Sequence, residues 1–203
     1  MATRFILIRH GQTEWNRGAE RFRGRADLPL NETGRAQAQK ITARLAKEKI
    51  AALYSSPLQR ALQTAQPIAA AHHLEIQQHP GLLDIDFGAL EGMTVEEARQ
   101  AFPQVIENWL TAPGRVRFPK GGSLKAVRGR IDNLLNDLLP RHGGETVVLV
   151  SHKVVCAAML CMVLGLKADA LWRVQQDNAC ISMFEKRDWG YVVTLMNDTH
   201  HLK

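Results

Sequence analysis

Two short runs of this sequence are apolar almost without a break, and helical patterns lie between and around them. The runs are RFILIR at 4–9 and ETVVLV at 145–150. A strand that is apolar on both faces must be covered on both faces, which is typical of parallel sheets flanked by helices. Further strands are predicted at 51–56 and 74–80, and a closing hairpin at 180–197. We therefore predict an α/β fold, a three-layer α/β/α sandwich with a mainly parallel central sheet.

The helical segments carry recognisable start signals. Asn31 is a predicted N-cap, Pro57 is expected to open the next helix, and Pro67 is expected to kink or shorten it. Ser123 is predicted to begin a long amphipathic helix that ends near Leu139. We predict a single domain over 1–203, with a helical lid insertion at about 94–122.

Composition narrows the class of protein. The chain has 203 residues and a net charge of +6, without a basic run or interleaved aromatic residues, so we do not expect a nucleic-acid partner. No apolar run approaches the roughly 20 residues of a membrane span, so we expect no membrane association. The three cysteines follow no metal spacing, and the N-terminus lacks a leader pattern, which together predict a cytoplasmic protein.

The tripeptide Arg9-His10-Gly11 directly follows the first predicted strand. A neutral imidazole can attack phosphorus, and a neighbouring arginine disfavours the imidazolium by charge repulsion. The same guanidinium offers a planar fork of donors to phosphate oxygens. Taken alone, however, the tripeptide is also compatible with a structural histidine at the end of a strand.

Other segments supply matching chemistry. Arg60 lies one turn into a predicted helix, Asp84, Asp86 and Glu91 lie in a glycine-containing loop, and His152 follows the second apolar strand. The carboxyl ends of parallel strands lie at one edge of a sheet, so the two histidines can converge there. A carboxyl group near a phosphate ester can protonate the leaving oxygen and then activate water.

In this order the segments LIRHGQTEWN, LPLNETGRAQA, LYSSPLQRALQTA, DIDFGALEG and VLVSH resemble the histidine phosphatase superfamily, the phosphoglycerate mutase-like proteins, over nearly the whole chain. The resemblance implies a nucleophilic His10 that forms a phosphohistidine, phosphoryl-binding Arg9, Arg60 and His152, and Asp84 as proton donor. The predicted substrate-binding residues are Asn16, Arg23, Gly24 and Lys153.

Three positions depart from the family pattern. Asp84 is one methylene shorter than the usual glutamate, which leaves open a contribution from Asp86 or Glu91. Lys153 stands where many relatives have a small residue, and it either reaches an anionic group of the substrate or points to solvent. Gly122 falls where a glutamate is common, which would relax one contact of the pocket.

The resemblance implies a phosphomonoesterase that acts on a small phosphorylated metabolite: α-ribazole 5'-phosphate, phosphoserine or a broad range of esters. The scheme requires no metal ion and no other cofactor. A cofactor-dependent phosphoglycerate mutase and a non-catalytic phospho-ligand binding protein are the alternatives. A homodimer is left open.

Overall fold

The computed structural model describes residues 2–203, and a single six-stranded sheet runs through them. The strands are β1 (Thr3–Arg9), β2 (Ala52–Ser55), β3 (Ile76–Gln78), β4 (Thr146–Ser151), β5 (Ile181–Arg187) and β6 (Gly190–Asp198). Their order across the sheet is β3-β2-β4-β1-β5-β6. The first four are mutually parallel, and β5 and β6 add an antiparallel hairpin beside β1.

In the described part of the chain, six α-helices cover the two faces of the sheet. They are α1 (Glu32–Leu45), α2 (Gln59–His72), α3 (Val95–Ala101), α4 (Pro103–Thr111), α5 (Leu124–Arg141) and α6 (Lys153–Val163). The apolar residues of α1 and α2 pack on one face, and those of α3 to α6 pack on the other. The predicted three-layer α/β/α sandwich with a mainly parallel sheet is confirmed.

The alternation of β1 explains why this strand is central. Phe5 and Leu7 join the core on the α3–α6 side, whereas Ile6 and Ile8 join the core on the α1–α2 side. All four side chains are fully buried, and each such burial contributes about 1.5–3 kcal/mol. The strand therefore belongs in the middle of the sheet. The residues that follow it leave the sheet at the carboxyl end of the strand.

The N-caps behave as the sequence predicts, whereas the helix around Pro67 does not. Asn31 accepts a hydrogen bond from the Gly34 amide at 2.8 Å, and Ser123 caps α5. Helix α2 begins at Gln59 rather than at Pro57 and continues five residues beyond Pro67, so the expected shortening is wrong. A proline removes only one helical hydrogen bond, and the buried residues on both sides of it keep α2 packed against the sheet.

The segment 94–122 contains α3, α4 and a short 3-10 turn, Pro113–Arg115. Its side chains Ala98, Ile106, Trp109 and Phe118 belong to the core on the α3–α6 side. That this segment works as a lid stays a prediction. None of the helices within residues 2–203 combines the length and apolar character needed to cross a bilayer.

Candidate active site

Two histidines leave neighbouring parallel strands at the same edge of the sheet. His10 follows β1, His152 follows β4, and the preceding residues Arg9 and Ser151 are partners in the β1–β4 register. The His10 amide also donates to the Ser151 carbonyl at 2.9 Å. The two imidazole rings lie 5.2 Å apart between centroids, and both residues are at most 1% exposed. The predicted convergence of the two strand ends is confirmed.

The environment of His10 leaves one ring nitrogen free for chemistry. Its Nδ1 lies 2.7 Å from the Gly11 carbonyl oxygen, which can only accept, so Nδ1 carries the proton and Nε2 keeps its lone pair. Burial lowers the pKa of His10 well below its usual value, and the charges of Arg60 and Arg9 lower it further. The adjacent arginine thus acts as predicted, but burial is the larger cause.

Arg60 connects the acid to the second histidine. Its Nε donates to His152 Nδ1 at 3.2 Å, and its Nη2 donates to Asp84 Oδ2, also at 3.2 Å. The backbone carbonyls of Gly24 and Ala26 accept its remaining hydrogen bonds, at 2.8 and 2.7 Å. Arg60 is therefore a fully buried hub, held by four partners at the N-terminal end of α2.

The bond from Arg60 also fixes the tautomer of His152. Because Nδ1 accepts, the proton lies on Nε2, which donates to Ser56 Oγ at 2.8 Å. Burial, followed by the charge of Arg60, holds the pKa of His152 well below its usual value. A neutral His152 can donate a hydrogen bond only through Nε2, and Ser56 Oγ already accepts that bond.

Asp84 is the carboxyl group that reaches this cluster. Its Oδ2 lies 3.7 Å from His152 Nδ1, and its Oδ1 accepts from the Ile85 amide at 2.9 Å. Burial raises the pKa of Asp84, although the Arg60 charge opposes the shift. Arg130 of α5 donates to the Asp84 carbonyl at 3.3 Å and to two neighbouring carbonyls, which fixes the loop against the helix.

The two other acids considered from the sequence have local structural partners. Asp86 Oδ1 accepts from the Gly88 amide at 2.9 Å, and Glu91 Oε1 accepts from the Arg25 amide at 2.7 Å. A Cβ at Gly122 would lie 3.4 Å from the Asp86 Cβ, an ordinary packing distance. Asp84 alone among the three acids lies within 4 Å of Arg60 and His152.

The guanidinium groups of Arg9 and Arg23 each have one buried N–H donor without a hydrogen-bond partner in the described structure. Arg9 donates from Nη1 to the Gln176 carbonyl at 2.7 Å, and Arg23 donates from Nη2 to Glu20 at 3.0 Å. Within residues 2–203 the Nε groups of both arginines are buried and have no hydrogen-bond partner. Burial lowers the pKa of Arg9 to about 10, so it remains charged near neutral pH. Unpaired buried donors are costly unless an acceptor arrives, and an anion would supply one.

The loop after β1 is held by close backbone packing. A Cβ at Gly11 would lie 2.6 Å from the Gly34 carbonyl oxygen, so the loop and the start of α1 touch through glycines. Thr64 Oγ1 accepts from the Gly11 amide at 3.1 Å, and Asn178 donates to the His10 carbonyl at 3.2 Å. These contacts fix the direction in which the His10 ring points.

The predicted substrate-binding residues have different surroundings. Asn16 Oδ1 accepts from the Thr13 amide at 3.1 Å, which leaves the amide NH₂ of Asn16 as its free donor side. Gly24 has a positive φ of 47°, and its carbonyl holds Arg60. The half-buried Lys153 lies at the start of α6, with its Nζ 3.9 Å from Glu20 Oε2.

A pocket of about 250 Å³ opens beside the buried cluster. Arg23 and Asp84 line it together with Lys153, so three of the predicted residues face it. The other predicted catalytic residues, His10, Arg9, Arg60 and His152, do not line the pocket and are at most 4% exposed. Asp84 connects them to the pocket through its 3.2 Å contact with Arg60. The site therefore consists of a buried cluster of arginines and histidines and an accessible chamber. Asp84 belongs to both parts.

Several residues of the cluster had no clear signal in the sequence. Ser56 bonds His152 across 96 positions, Thr64 bonds Gly11 across 53, and Arg130 bonds Asp84 across 46. A pairing of this kind depends on how helices lie against the sheet. Of these residues, only Ser56 has a local sequence signal: the SSP stretch between β2 and α2 places it at the end of a strand.

Comparison with known proteins agrees with this geometry. The sequence profile of the histidine phosphatase superfamily, branch 1, matches residues 5–199. The chain belongs to this family. The resemblance inferred from the motifs is confirmed.

Individual relatives cover nearly the whole chain. "Phosphoserine phosphatase 1" of Hydrogenobacter thermophilus is 37% identical over 98% of this chain and 94% of its own length. "Probable phosphoglycerate mutase GpmB" of Yersinia pestis is 32% identical over 97% of this chain and 93% of its own length. A phosphoserine phosphatase mutant from Entamoeba histolytica, solved in complex with phosphoserine, is 32% identical with a TM-score of 0.89. It covers 99% of this chain and 100% of its own.

These comparisons identify the chain as an enzyme of the phosphatase class that acts on small phosphorylated substrates, as its motifs predict. The non-catalytic alternative thereby loses its support.

Proposed function

We propose that the chain hydrolyses phosphomonoesters in two steps through a phosphohistidine on His10. The observation that carries the proposal is the contact of His10 Nδ1 with the Gly11 carbonyl, which leaves Nε2 free for attack, while burial and then the charges of three arginines lower the pKa of His10. A phosphoryl group at this position would give acceptor oxygens to the unpaired Nε donors of Arg9 and Arg23. Such fixed donors stabilise the charge that spreads over the equatorial oxygens.

In the first step, His10 Nε2 attacks phosphorus and the bond from phosphorus to the ester oxygen breaks. The departing oxygen takes a proton from Asp84, whose raised pKa makes the protonated form more accessible than for an ordinary aspartate. The guanidinium of Arg60, 3.2 Å from Asp84, keeps the carboxyl group in place as its charge changes. The alcohol then leaves through the pocket that Asp84 lines.

In the second step, water enters beside Asp84, which is now a carboxylate. Asp84 takes a proton from the water, the hydroxyl oxygen bonds to phosphorus, and the bond from phosphorus to Nε2 breaks. His10 regains its lone pair and inorganic phosphate departs. His152 would hold Arg60 in place through both steps, because its Nδ1 accepts from Arg60 and its one proton is donated to Ser56.

The identity of the alcohol part is the finer question. Two relatives named as phosphoserine phosphatases support phosphoserine as the first substrate to test. Lys153 is the cation best placed for a second anionic group, because its Nζ has only the 3.9 Å contact to Glu20. The broad-specificity and α-ribazole 5'-phosphate alternatives belong in the same panel.

The mutase alternative is favoured by one observation, the relative named as a phosphoglycerate mutase. A mutase must return the phosphoryl group to the substrate, whereas a phosphatase passes it to water. Incubation with 3-phosphoglycerate separates the two: isomerisation without release of phosphate supports the mutase, and release of phosphate supports the hydrolase.

The test of the proposal is phosphate release from the ester panel by purified protein in the presence of EDTA. We expect turnover by the wild type and loss of nearly all turnover in His10→Ala, because no covalent intermediate can form. The matched control is His200→Ala, since His200 is an exposed histidine far along the chain. Full activity in His10→Ala, or activity that requires added metal ion, would refute the mechanism.

A further inference from the structure

The pocket beside the buried cluster is apolar on most of its wall. Thirteen residues line it, and eight of them are apolar or aromatic. Five of these residues come from α3, α4 and the 3-10 turn Ala168–Arg173, and we call them the apolar wall: Val95, Ile106, Trp109, Leu110 and Trp172. A chamber built only for a small polar alcohol would not need so much apolar surface.

Contacts among aromatic side chains hold the apolar wall in place. Trp172 Nε1 donates to the Trp109 carbonyl at 2.6 Å, and the two indole rings meet edge to face with centroids 5.0 Å apart. Trp109 packs in the same manner against Phe87 and Phe118, at 6.0 and 5.0 Å. Rigid aromatic surfaces bind apolar groups well because little conformational freedom is lost on contact.

Three side chains of the apolar wall are substantially exposed to solvent. Leu110 is 53% exposed, Val95 is 42% exposed and Trp172 is 36% exposed. All three line the pocket, so each contributes apolar surface to the chamber. Covering it removes apolar area from water, which is favourable.

The position of Asp84 shows which part of a substrate meets this wall. Asp84 is the proposed proton donor to the departing oxygen, and it lines the pocket. The phosphoryl group would lie on the buried side, at His10, so the alcohol part extends into the chamber. Lys153 and Glu20, whose charged groups lie 3.9 Å apart, supply part of the polar lining of the same pocket.

We propose that this enzyme prefers phosphomonoesters whose alcohol part carries an extended apolar group, an alkyl chain or an aromatic ring, which packs against Trp109, Leu110 and Trp172. This inference rests on the proposed function, because it uses the orientation that His10 and Asp84 impose. A substrate such as phosphoserine, with a single methylene beside its charged groups, would leave the wall uncovered.

The test compares n-hexyl phosphate with ethyl phosphate, whose leaving groups differ in apolar length but hardly in acidity. We expect kcat/KM for the hexyl ester to be at least tenfold higher in the wild type. In Leu110→Ala and in Trp172→Ala the hexyl-to-ethyl ratio should fall at least threefold. Leu164→Ala is the control, because Leu164 is similarly exposed, at 43%, and does not line the pocket; its ratio should match the wild type.

The outcomes separate the two proposals. A hexyl-to-ethyl ratio near one in the wild type, or a ratio unchanged in Leu110→Ala, overturns the apolar preference even though phosphate is released. Absence of phosphate release from every ester of the wild type overturns the proposed function itself. Leu110 is more than half exposed, so Leu110→Ala remains informative if Trp172→Ala fails to fold.

Discussion

Asp84 has the clearest test at the scale of a single residue. Asp84→Asn preserves the size of the side chain but removes the transferable proton, so hydrolysis of alkyl phosphates should fall about a hundredfold or more. Turnover of p-nitrophenyl phosphate should fall much less in the first step, because its leaving oxygen needs no proton. Rates of the first step, measured as the burst of released alcohol, give this comparison.

The matched control for this substitution is Asp86→Asn. Asp86 has its own partner, the Gly88 amide, which an asparagine oxygen can also serve. Wild-type rates are expected for this control. Equal losses on alkyl and p-nitrophenyl esters in Asp84→Asn would contradict the role of Asp84 as proton donor.

The protonation of His10 predicts the acid side of the activity profile. Attack requires an unprotonated Nε2, and burial together with Arg60 and Arg9 holds the pKa of His10 well below 6.5. Lowering the pH through 6.5 should therefore not yet protonate the nucleophile. We expect the acid limb of a pH profile of kcat/KM to lie clearly below pH 6.5 when it is measured on p-nitrophenyl phosphate, whose own second ionisation also lies below that value. A limb centred at or above that value would show that His10 titrates as an ordinary histidine.

The sequence predicted the positions of the proposed reacting residues better than it predicted the residues that hold them in place. His10, Arg9, Arg60 and His152 each lie at the end of a strand or the start of a helix, where a local pattern is legible. Ser56 and Arg130 act through contacts between segments that are distant along the chain. Their bonds depend on how α2 and α5 lie on the sheet, which no single segment specifies.

At the scale of structural elements, the His10 loop packs closely against the start of α1. A Cβ at Gly34 would collide with the backbone of Gln12, two residues after His10. Gly34→Ala should destabilise the fold by about 1–3 kcal/mol, the usual cost of overpacking. Activity should also fall, because the loop that aims the His10 ring must shift. Urea denaturation and kcat on one ester measure both effects.

Gly129→Ala is the control for this element. Gly129 is exposed within α5, and a Cβ there meets nothing within 4 Å. Since alanine is the better helix former, this variant should be more stable by about 0.4–1 kcal/mol with unchanged activity. If Gly34→Ala were as stable and as active as Gly129→Ala, the close packing of the loop would be irrelevant to the site.

Most helices and strands could be predicted from the sequence, and helix α2 around Pro67 is the exception. Continuous apolar runs identified β1 and β4, and Asn31 and Ser123 marked the starts of α1 and α5. The local rule for Pro67 was overridden because α2 buries apolar residues on both sides of the proline. Tertiary packing can outweigh the loss of one helical hydrogen bond.

For the whole molecule, the buried histidines predict how stability depends on pH. His10 and His152 have lowered pKa values in the folded state, so below about pH 6.5 the unfolded chain binds more protons than the native one. The free energy of unfolding should therefore decrease as the pH falls from 7 to 5. The raised pKa values of Asp84 and Glu91 act in the opposite direction, whereas the lowered pKa values of His79 and His201 add to the effect of the two buried histidines.

Urea denaturation at pH 7 and pH 5 checks this, with His10→Asn as the test variant and His200→Asn as the exposed control. Wild type and His200→Asn should lose similar stability, and His10→Asn should lose less, because one titrating group has been removed. An equal loss in all three proteins would mean that the buried imidazoles do not set the acid stability.

The central claim is that a protein nitrogen carries the phosphoryl group between two displacements. The stereochemical course at phosphorus tests it most directly, with a phosphate ester made chiral by oxygen isotopes and isotopically distinct water. Two in-line displacements, first by His10 and then by water, each invert phosphorus, so the account predicts net retention of configuration. Net inversion would show that water attacks the ester in a single step and would contradict the account.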